Sequence, residues 1–108
     1  MELREYLDRA QRSPFAAWFR TLDALAAAKV TTALVRMETG NLSNVKAVGS
    51  GVMEYRINWG AGYRIYFGRD GNDLVLLLAG GTKRRQQRDI EDAQQRWADY
   101  KQRKKEGE

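Results

Sequence analysis

Apolar residues recur along this chain with two different periods, which predict a helical first half and a middle rich in strands. Ser13 followed by Pro14 is a typical helix start, because serine caps the first turn and proline fits its first position. The apolar positions that follow share one helix face: Phe15, Trp18, Phe19 and Leu22. A second stripe predicts another helix that ends near Gly40: Ala26, Val30, Ala33, Leu34 and Met37. We therefore predict a helical hairpin.

The pattern changes to strict alternation at residue 52. The segment Val52 to Trp59 alternates, and a glycine-rich turn leads into a second strand from Tyr63 to Phe67. The apolar run Leu74 to Ala79 has the composition of a central strand that is buried on both faces. The alternating positions that are not part of the apolar stripe are expected to share one face of the sheet: Glu54, Arg56 and Asn58 on the first strand, and Arg64 and Tyr66 on the second.

The two ends of the chain complete the predicted architecture. Residues Glu2 to Leu7 suit an edge strand, and a closing helix is indicated by a further stripe: Ile90, Ala93, Trp97 and Tyr100. We expect the charged tail Lys101 to Glu108 to be frayed. The prediction is a single α+β domain over residues 1–108, with an N-terminal helical hairpin packed on a small, mostly antiparallel sheet and a C-terminal helix.

Composition narrows the chemistry that this domain can perform. The chain has 108 residues, no cysteine and no histidine, so disulfides, thiolate metal sites and histidine-based catalysis are excluded. We expect no metal, no cofactor and a cytoplasmic location. We also expect no membrane segment, because no apolar run approaches the ~20 residues that a membrane-spanning helix needs. The net charge of +5 favours nucleic acid or an acidic protein as partner, and residues 83–108 hold 9 of the 19 basic side chains.

Four ordered segments resemble one known protein family. They read R-S-P-F-A-A-W, R-M-E-T-G-N-L, V-K-A-V-G-S-G-V-M-E-Y-R-I-N-W-G-A-G-Y-R-I-Y-F and L-L-L-A-G-G-T-K-R-R-Q-Q-R-D-I-E-D-A. From about Ser13 to Trp97 the chain resembles the RelE/ParE superfamily of type II toxins, and more closely its HigB-like "addiction module killer" branch. The resemblance implies the RelE/ParE-like fold and a toxin that a cognate antitoxin neutralises.

The resemblance leaves three functions open. HigB-like and RelE-like toxins cleave mRNA on the ribosome, which implies a metal-independent endoribonuclease that inhibits translation. ParE-like relatives share the fold but poison DNA gyrase without nuclease activity, and a third reading is an inactive toxin fold that survives as a binding module. The implied partners are mRNA, the ribosome and a HigA-like helix-turn-helix antitoxin, through which the complex would bind operator DNA.

The same resemblance assigns roles to residues on the predicted sheet face. Arg56 and Arg64 match basic positions that would hold the scissile phosphate and offset charge as the ribose 2′-oxygen attacks it. Glu54 would either take the 2′-hydroxyl proton or orient Arg56 through an ion pair. The alternative for Arg56 is an ordinary ion pair with Glu54 on a solvated face.

Further candidates lie at and beside the start of the last helix. Lys83 is a catalytic candidate that would donate a proton to the leaving 5′-oxygen or bind phosphate as a point charge. The RNA-binding candidates are Arg84, Arg85, Gln86 and, as a stacking surface, Tyr66. The alternatives are a solvated helix start for the basic residues and a core or rim position for Tyr66. The sequence departs from the family at Asp89 and Ile90, where RelE members carry a stacking tyrosine and some HigB members carry histidines, so no acid–base pair is visible.

Two basic surfaces are candidate antitoxin interfaces. One is the exposed side of the helical hairpin with Arg20, Lys29 and Arg36, and the other is the segment Lys83 to Arg88. An acidic antitoxin would associate quickly with either surface, because opposite charge speeds encounter.

Overall fold

The computed structural model describes residues 1–107 and shows an α+β domain built on one five-stranded sheet. The strand order is β1-β5-β4-β3-β2, in which β1 pairs in parallel with β5 and the other neighbours are antiparallel. This confirms the prediction of a mostly antiparallel sheet, with β1 at one edge. The strands are β1 (Glu2–Glu5), β2 (Val45–Ala47), β3 (Val52–Ile57), β4 (Tyr63–Asp70) and β5 (Leu74–Thr82).

The helices are α1 (Pro14–Phe19), α2 (Ala24–Glu38) and α3 (Gln86–Glu106). Local sequence explains where the first two begin. The Ser13 hydroxyl accepts a hydrogen bond from the Ala16 amide at 3.0 Å, and the Asp23 carboxylate caps α2 in the same way. After α2, Gly40 adopts a φ of 86°, the left-handed conformation that ends many helices. The predicted helical hairpin is thus confirmed.

The sheet separates two apolar cores. The α1–α2 hairpin covers one face, here called the hairpin face, and its core is formed by Phe15, Val30, Ala33, Met37, Tyr55, Ile65, Phe67, Val75 and Leu77. The helix α3 covers the other, here called the α3 face, with a core of Tyr6, Val52, Tyr66, Leu76, Leu78, Ala79, Ala93 and Trp97. The strand β5 contributes to both cores, as its continuous apolar sequence predicts.

Glycines in the strands let the helices approach the sheet closely. A methyl group on Gly80 would overlap the ring of Trp18 on the hairpin face, and one on Gly68 would overlap the ring of Trp97 on the α3 face. On Gly81 it would meet the Asp89 carboxylate. These positions therefore need a residue without a side chain.

The structure corrects the predicted limits of several elements. The short strand β2 was not predicted, β3 ends two residues before Trp59, and β4 and β5 run three residues beyond Phe67 and Ala79. The helix α3 continues to Glu106 through the segment that we expected to be frayed from Lys101 onwards. Its last turns are held by contacts with the rest of the domain. The final residue of the predicted frayed tail, Glu108, lies outside the residues that the structure describes.

Three side-chain contacts attach the end of α3. Arg103 donates to the carbonyl oxygen of Leu7 at 2.5 Å, and both Tyr100 and Lys104 donate to the Asp70 carboxylate at 2.6 Å. These contacts stabilise turns that the local sequence alone does not.

No helix within residues 1–107 is long and apolar enough to cross a membrane.

Candidate active site

The predicted polar residues of β3 and β4 lie together on the α3 face, beyond the apolar part of that core. Glu54 pairs in register with Tyr66, and Arg56 pairs with Arg64, so the four residues form two adjacent cross-strand pairs. Cross-strand neighbours on one face have Cβ atoms about 4.5–5.5 Å apart. The alternation in the sequence correctly predicted this grouping.

Glu54 is the centre of the group and is fully buried. Its carboxylate accepts hydrogen bonds from Arg56 Nε and Gln86 Nε2, both at 2.8 Å, and lies 3.5 Å from Arg64 Nε. Burial by itself raises the pKa of Glu54. The hydrogen bonds from Arg56 and Gln86, together with the charge of Arg64, outweigh that effect and place the pKa below its ordinary value. The residue is therefore an anion at neutral pH.

The two arginines differ in what they offer a ligand. The Arg56 side chain is 41% exposed, whereas that of Arg64 is 9% exposed. Arg64 Nη1 also donates to the carbonyl oxygen of Gly62 at 2.7 Å, which ties the guanidinium to the β3–β4 turn. Arg56 thus forms an accessible wall of the site and Arg64 its floor. The Arg56–Glu54 ion pair expected as the alternative is present, but its carboxylate is buried rather than solvated.

Tyr66 lies on the predicted face of the sheet but is not accessible to a ligand. Its side chain is fully buried beneath α3, so the prediction that it stacks on an RNA base is wrong. Burial, and then the nearby charge of Glu54, raise the pKa of the Tyr66 hydroxyl. Among the described residues that hydroxyl finds no partner in hydrogen-bonding geometry. The reason for the error is that β4 is covered on both faces, which alternation alone does not reveal.

A basic turn joins the sheet to α3. Lys83, Arg84 and Arg85 form one exposed 3-10 turn, and the amide of Lys83 donates to the carbonyl oxygen of Gly62 at 3.1 Å. The turn is therefore fixed against the same β3–β4 connection that Arg64 contacts. Gln86 follows at the first position of α3, where its amide nitrogen is engaged by Glu54 rather than by solvent.

Asp89 is a residue that the sequence reasoning left outside the site. It lies in the first turn of α3, half-buried above Gly81, which pairs with Arg64 across β4 and β5. Burial raises the pKa of Asp89 above its ordinary value, against the opposing charge of Arg85. The signal that would have found it is the glycine pair at residues 80 and 81, because a glycine inside a strand often marks a close approach.

This arrangement is suited to binding and stabilising a phosphate more than to moving protons. The Glu54 carboxylate accepts hydrogen bonds from Arg56 and Gln86 and forms an ion pair with Arg64, and the chain has no histidine. Exposed positive charge is concentrated at Arg56 and at the turn Lys83–Arg85. The half-buried carboxyl of Asp89 has its pKa displaced upwards, the direction in which a carboxyl becomes a better proton acceptor.

Comparison with known proteins identifies the family of the chain. Residues 17–98 match the model of a family described as "Phage derived protein Gp49-like (DUF891)". The chain belongs to the Gp49-like family. This is a known family of addiction-module toxins, so the coarser part of the resemblance is confirmed. The chain is also 40% identical over 80 residues to a Haemophilus influenzae protein described as uncharacterized, covering 73% of this chain and 81% of that protein.

Proposed function

We propose that this Gp49-like protein is the toxin of a type II toxin–antitoxin system and that it cleaves mRNA on the ribosome, as HigB-like toxins do. The observation that carries the proposal is the buried Glu54 carboxylate, which holds Arg56 and Arg64 side by side at the edge of an exposed basic turn. Two guanidinium groups fixed in this way are placed to stabilise the charge of a pentavalent phosphate.

In this proposal the residues have separate roles. Arg56 and Lys83 contact the scissile phosphate from the accessible side, and Arg64 supplies charge from the floor of the site. As the bond between phosphorus and the 5′-oxygen breaks, Lys83 donates a proton to the leaving 5′-oxygen. Glu54 acts as a positioning residue, because its buried oxygens are already occupied by donors. Asp89 is the carboxyl best suited to accept the 2′-hydroxyl proton, and Arg84 and Arg85 bind the flanking RNA backbone.

The antitoxin in this proposal is an acidic helix-turn-helix protein that covers the basic start of α3. Lys83, Arg84, Arg85 and Arg88 are all exposed there. A protein bound at this surface would block the accessible wall of the site directly. Reversing the charge of Arg84 and Arg85 should then weaken the complex, while reversal at Arg20 should leave it intact.

Pulse labelling after induction of the chain alone tests the proposal. Protein synthesis should fall before DNA synthesis, and the transcripts recovered from ribosomes should carry new 5′ ends. An Arg56→Ala variant is the matched inactive control, because Arg56 contacts the phosphate in this proposal and lies at the edge of the core, with 41% of its side chain exposed. Stalled replication with DNA trapped on gyrase, while translation continues, would refute the proposal.

The small number of groups that could transfer a proton favours a second candidate function, a ParE-like gyrase inhibitor without nuclease activity. Tyr66 is buried, Glu54 is occupied, and the chain has no histidine, so proton transfer would rest on Asp89. If Asp89→Asn retains full toxicity and replication stalls first, the gyrase-directed function explains the chain better.

A further inference from the structure

A groove between α2 and the open end of β3 carries three basic side chains and adjoins the site described above through one of them, Arg56. It has a volume of about 310 Å³, and Lys29, Arg36, Arg56, Asn58 and Trp59 are among the residues that line it. Ligand sites in proteins commonly range from ~300 to 1,000 Å³. Within the described part of the chain, no carboxylate is among the lining residues. The groove is therefore shaped to receive negative charge.

The ammonium group of Lys29 is held in place before any ligand arrives. Lys29 Nζ lies 5.6 Å from the centroid of the Trp59 ring, and that ring stacks on Tyr63 with centroids 5.8 Å apart. A cation over an aromatic face is attracted by the ring's electron density. Because the side chain is already ordered, less entropy is lost when the ammonium group binds an anion.

The spacing of the cations suits an extended polyanion. Lys29 and Arg36 are seven residues apart on α2, which is two helical turns or about 10 Å along the axis. They would therefore contact different charged groups of one ligand. Arg56 lines the groove and also belongs to the candidate active site, so it connects the two places.

From this arrangement we infer that the groove binds the ribose-phosphate backbone of a single RNA strand that continues beyond the phosphate held at Arg56. The inference rests on the proposed function, because it extends the same RNA site. A protein partner would need an apolar pocket for an anchoring side chain. The largest apolar side chain of the groove is Trp59, and its ring lies between Lys29 and Tyr63.

The test compares two double variants that remove the same charge. Lys29→Ala with Arg36→Ala empties the groove of its α2 cations, and Arg12→Ala with Arg20→Ala removes two exposed cations elsewhere. The probe is a 2′-O-methyl oligonucleotide of about 12 nucleotides, within the ~4–16 nucleotides that small single-strand binding domains cover. Its affinity for the free protein is measured over a range of salt concentrations.

We expect the groove variant to reduce the slope of log affinity against log salt by about 1.4, since each phosphate contact on a single strand contributes ~0.7. The control variant should change the slope by much less. Trp59→Leu should lower affinity, because Lys29 loses its support, and Trp59→Phe should restore most of it. Circular dichroism confirms that the variants are folded.

Several results would overturn the inference. Wild-type protein that does not bind the oligonucleotide at low salt, or equal changes in slope for both double variants, would remove the groove as an RNA site. So would a groove variant that binds RNA normally but no longer binds the helix-turn-helix antitoxin. If the wild type cleaves ribosome-bound mRNA while the slopes are equal, the inference alone fails. If the slopes differ as expected but no mRNA is cleaved, the proposed endonuclease fails instead.

Discussion

Replacing Glu54 with glutamine should destabilise the domain more than its small change in shape suggests. The side chain is fully buried and contacts Arg56, Arg64 and Gln86. Removing one partner of a buried ion pair costs about 3–5 kcal/mol, because the other charge stays desolvated. Arg56 can turn towards water, but Arg64, with 9% of its side chain exposed, cannot. We therefore expect a loss at the lower end, about 3 kcal/mol.

A loss of this size is large for such a chain. Domains are stabilised by about 0.05–0.15 kcal/mol per residue, which corresponds to roughly 5–15 kcal/mol here. Since 1 kcal/mol shifts the melting temperature of a domain of this size by about 4–8 °C, the Glu54→Gln variant should melt on the order of 10–20 °C lower. The protein would still fold at low temperature.

Urea unfolding at pH 7 measures the effect, with Glu2→Gln as the control. That control makes the same change at a carboxylate that is 55% exposed and paired with Arg4, and it should cost about 1 kcal/mol or less. Low pH provides a second control. Because the pKa of Glu54 is lowered on folding, its contribution is complete above the ordinary value of 4.5 and is lost as the pH falls through the folded value. The difference between wild type and Glu54→Gln should therefore shrink in acid. A cost below 1 kcal/mol at pH 7, or a difference independent of pH, would refute the reasoning.

Substitutions at four further residues give distinct expectations. Arg64→Ala should reduce RNA cleavage by the purified, folded protein on the order of 10²–10³-fold, and Arg64→Lys should restore it only in part; an unchanged rate would show that the active face lies elsewhere. Gly68→Ala should lower the free energy of unfolding by about 1–3 kcal/mol, because the added methyl group meets the rigid ring of Trp97. Gly81→Ala should lower it by less, because the Asp89 carboxylate can rotate away from the methyl group. Equal unfolding free energies for the two variants would contradict the packing argument. Burial raises the pKa of Asp89, so its negative charge opposes folding once the pH rises above the ordinary pKa of 3.8. Asp89→Asn should therefore raise the melting temperature at pH 7 but not at pH 3. A lower melting temperature of this variant at pH 7 would contradict the argument.

The periodic parts of the chain made most of the fold predictable. The hairpin α1–α2 and the strands β3 and β4 each carry a strong apolar period, which predicts the faces on which their side chains lie. The strand β2 has only three residues, with Lys46 and Ala47 exposed, so it shows no alternation to detect. It exists because β3 offers an edge to pair with, which is a tertiary cause.

The candidate site was predictable only in part, for a similar reason. Alternation placed Glu54, Arg56 and Arg64 on one face, but it did not show that a helix buries Tyr66 there. Glycines at residues 80 and 81 normally favour a turn, and the sequence prediction ended β5 before them. In the structure they continue the strand by pairing with Ile65 and Arg64 of β4, and Trp18 and Asp89 occupy the space where side chains would lie.

The parallel pairing of β1 with β5 ties the beginning of the chain to a strand that is synthesised much later. Glu2 lies opposite Leu74, so β1 has no partner on the sheet until the ribosome has reached β5. The helix α3, whose Gln86 holds Glu54, is translated later still. Contacts between residues so distant in sequence are also slow to form. A nascent chain therefore lacks its assembled site until the ribosome has translated the start of α3, long after the residues of β1.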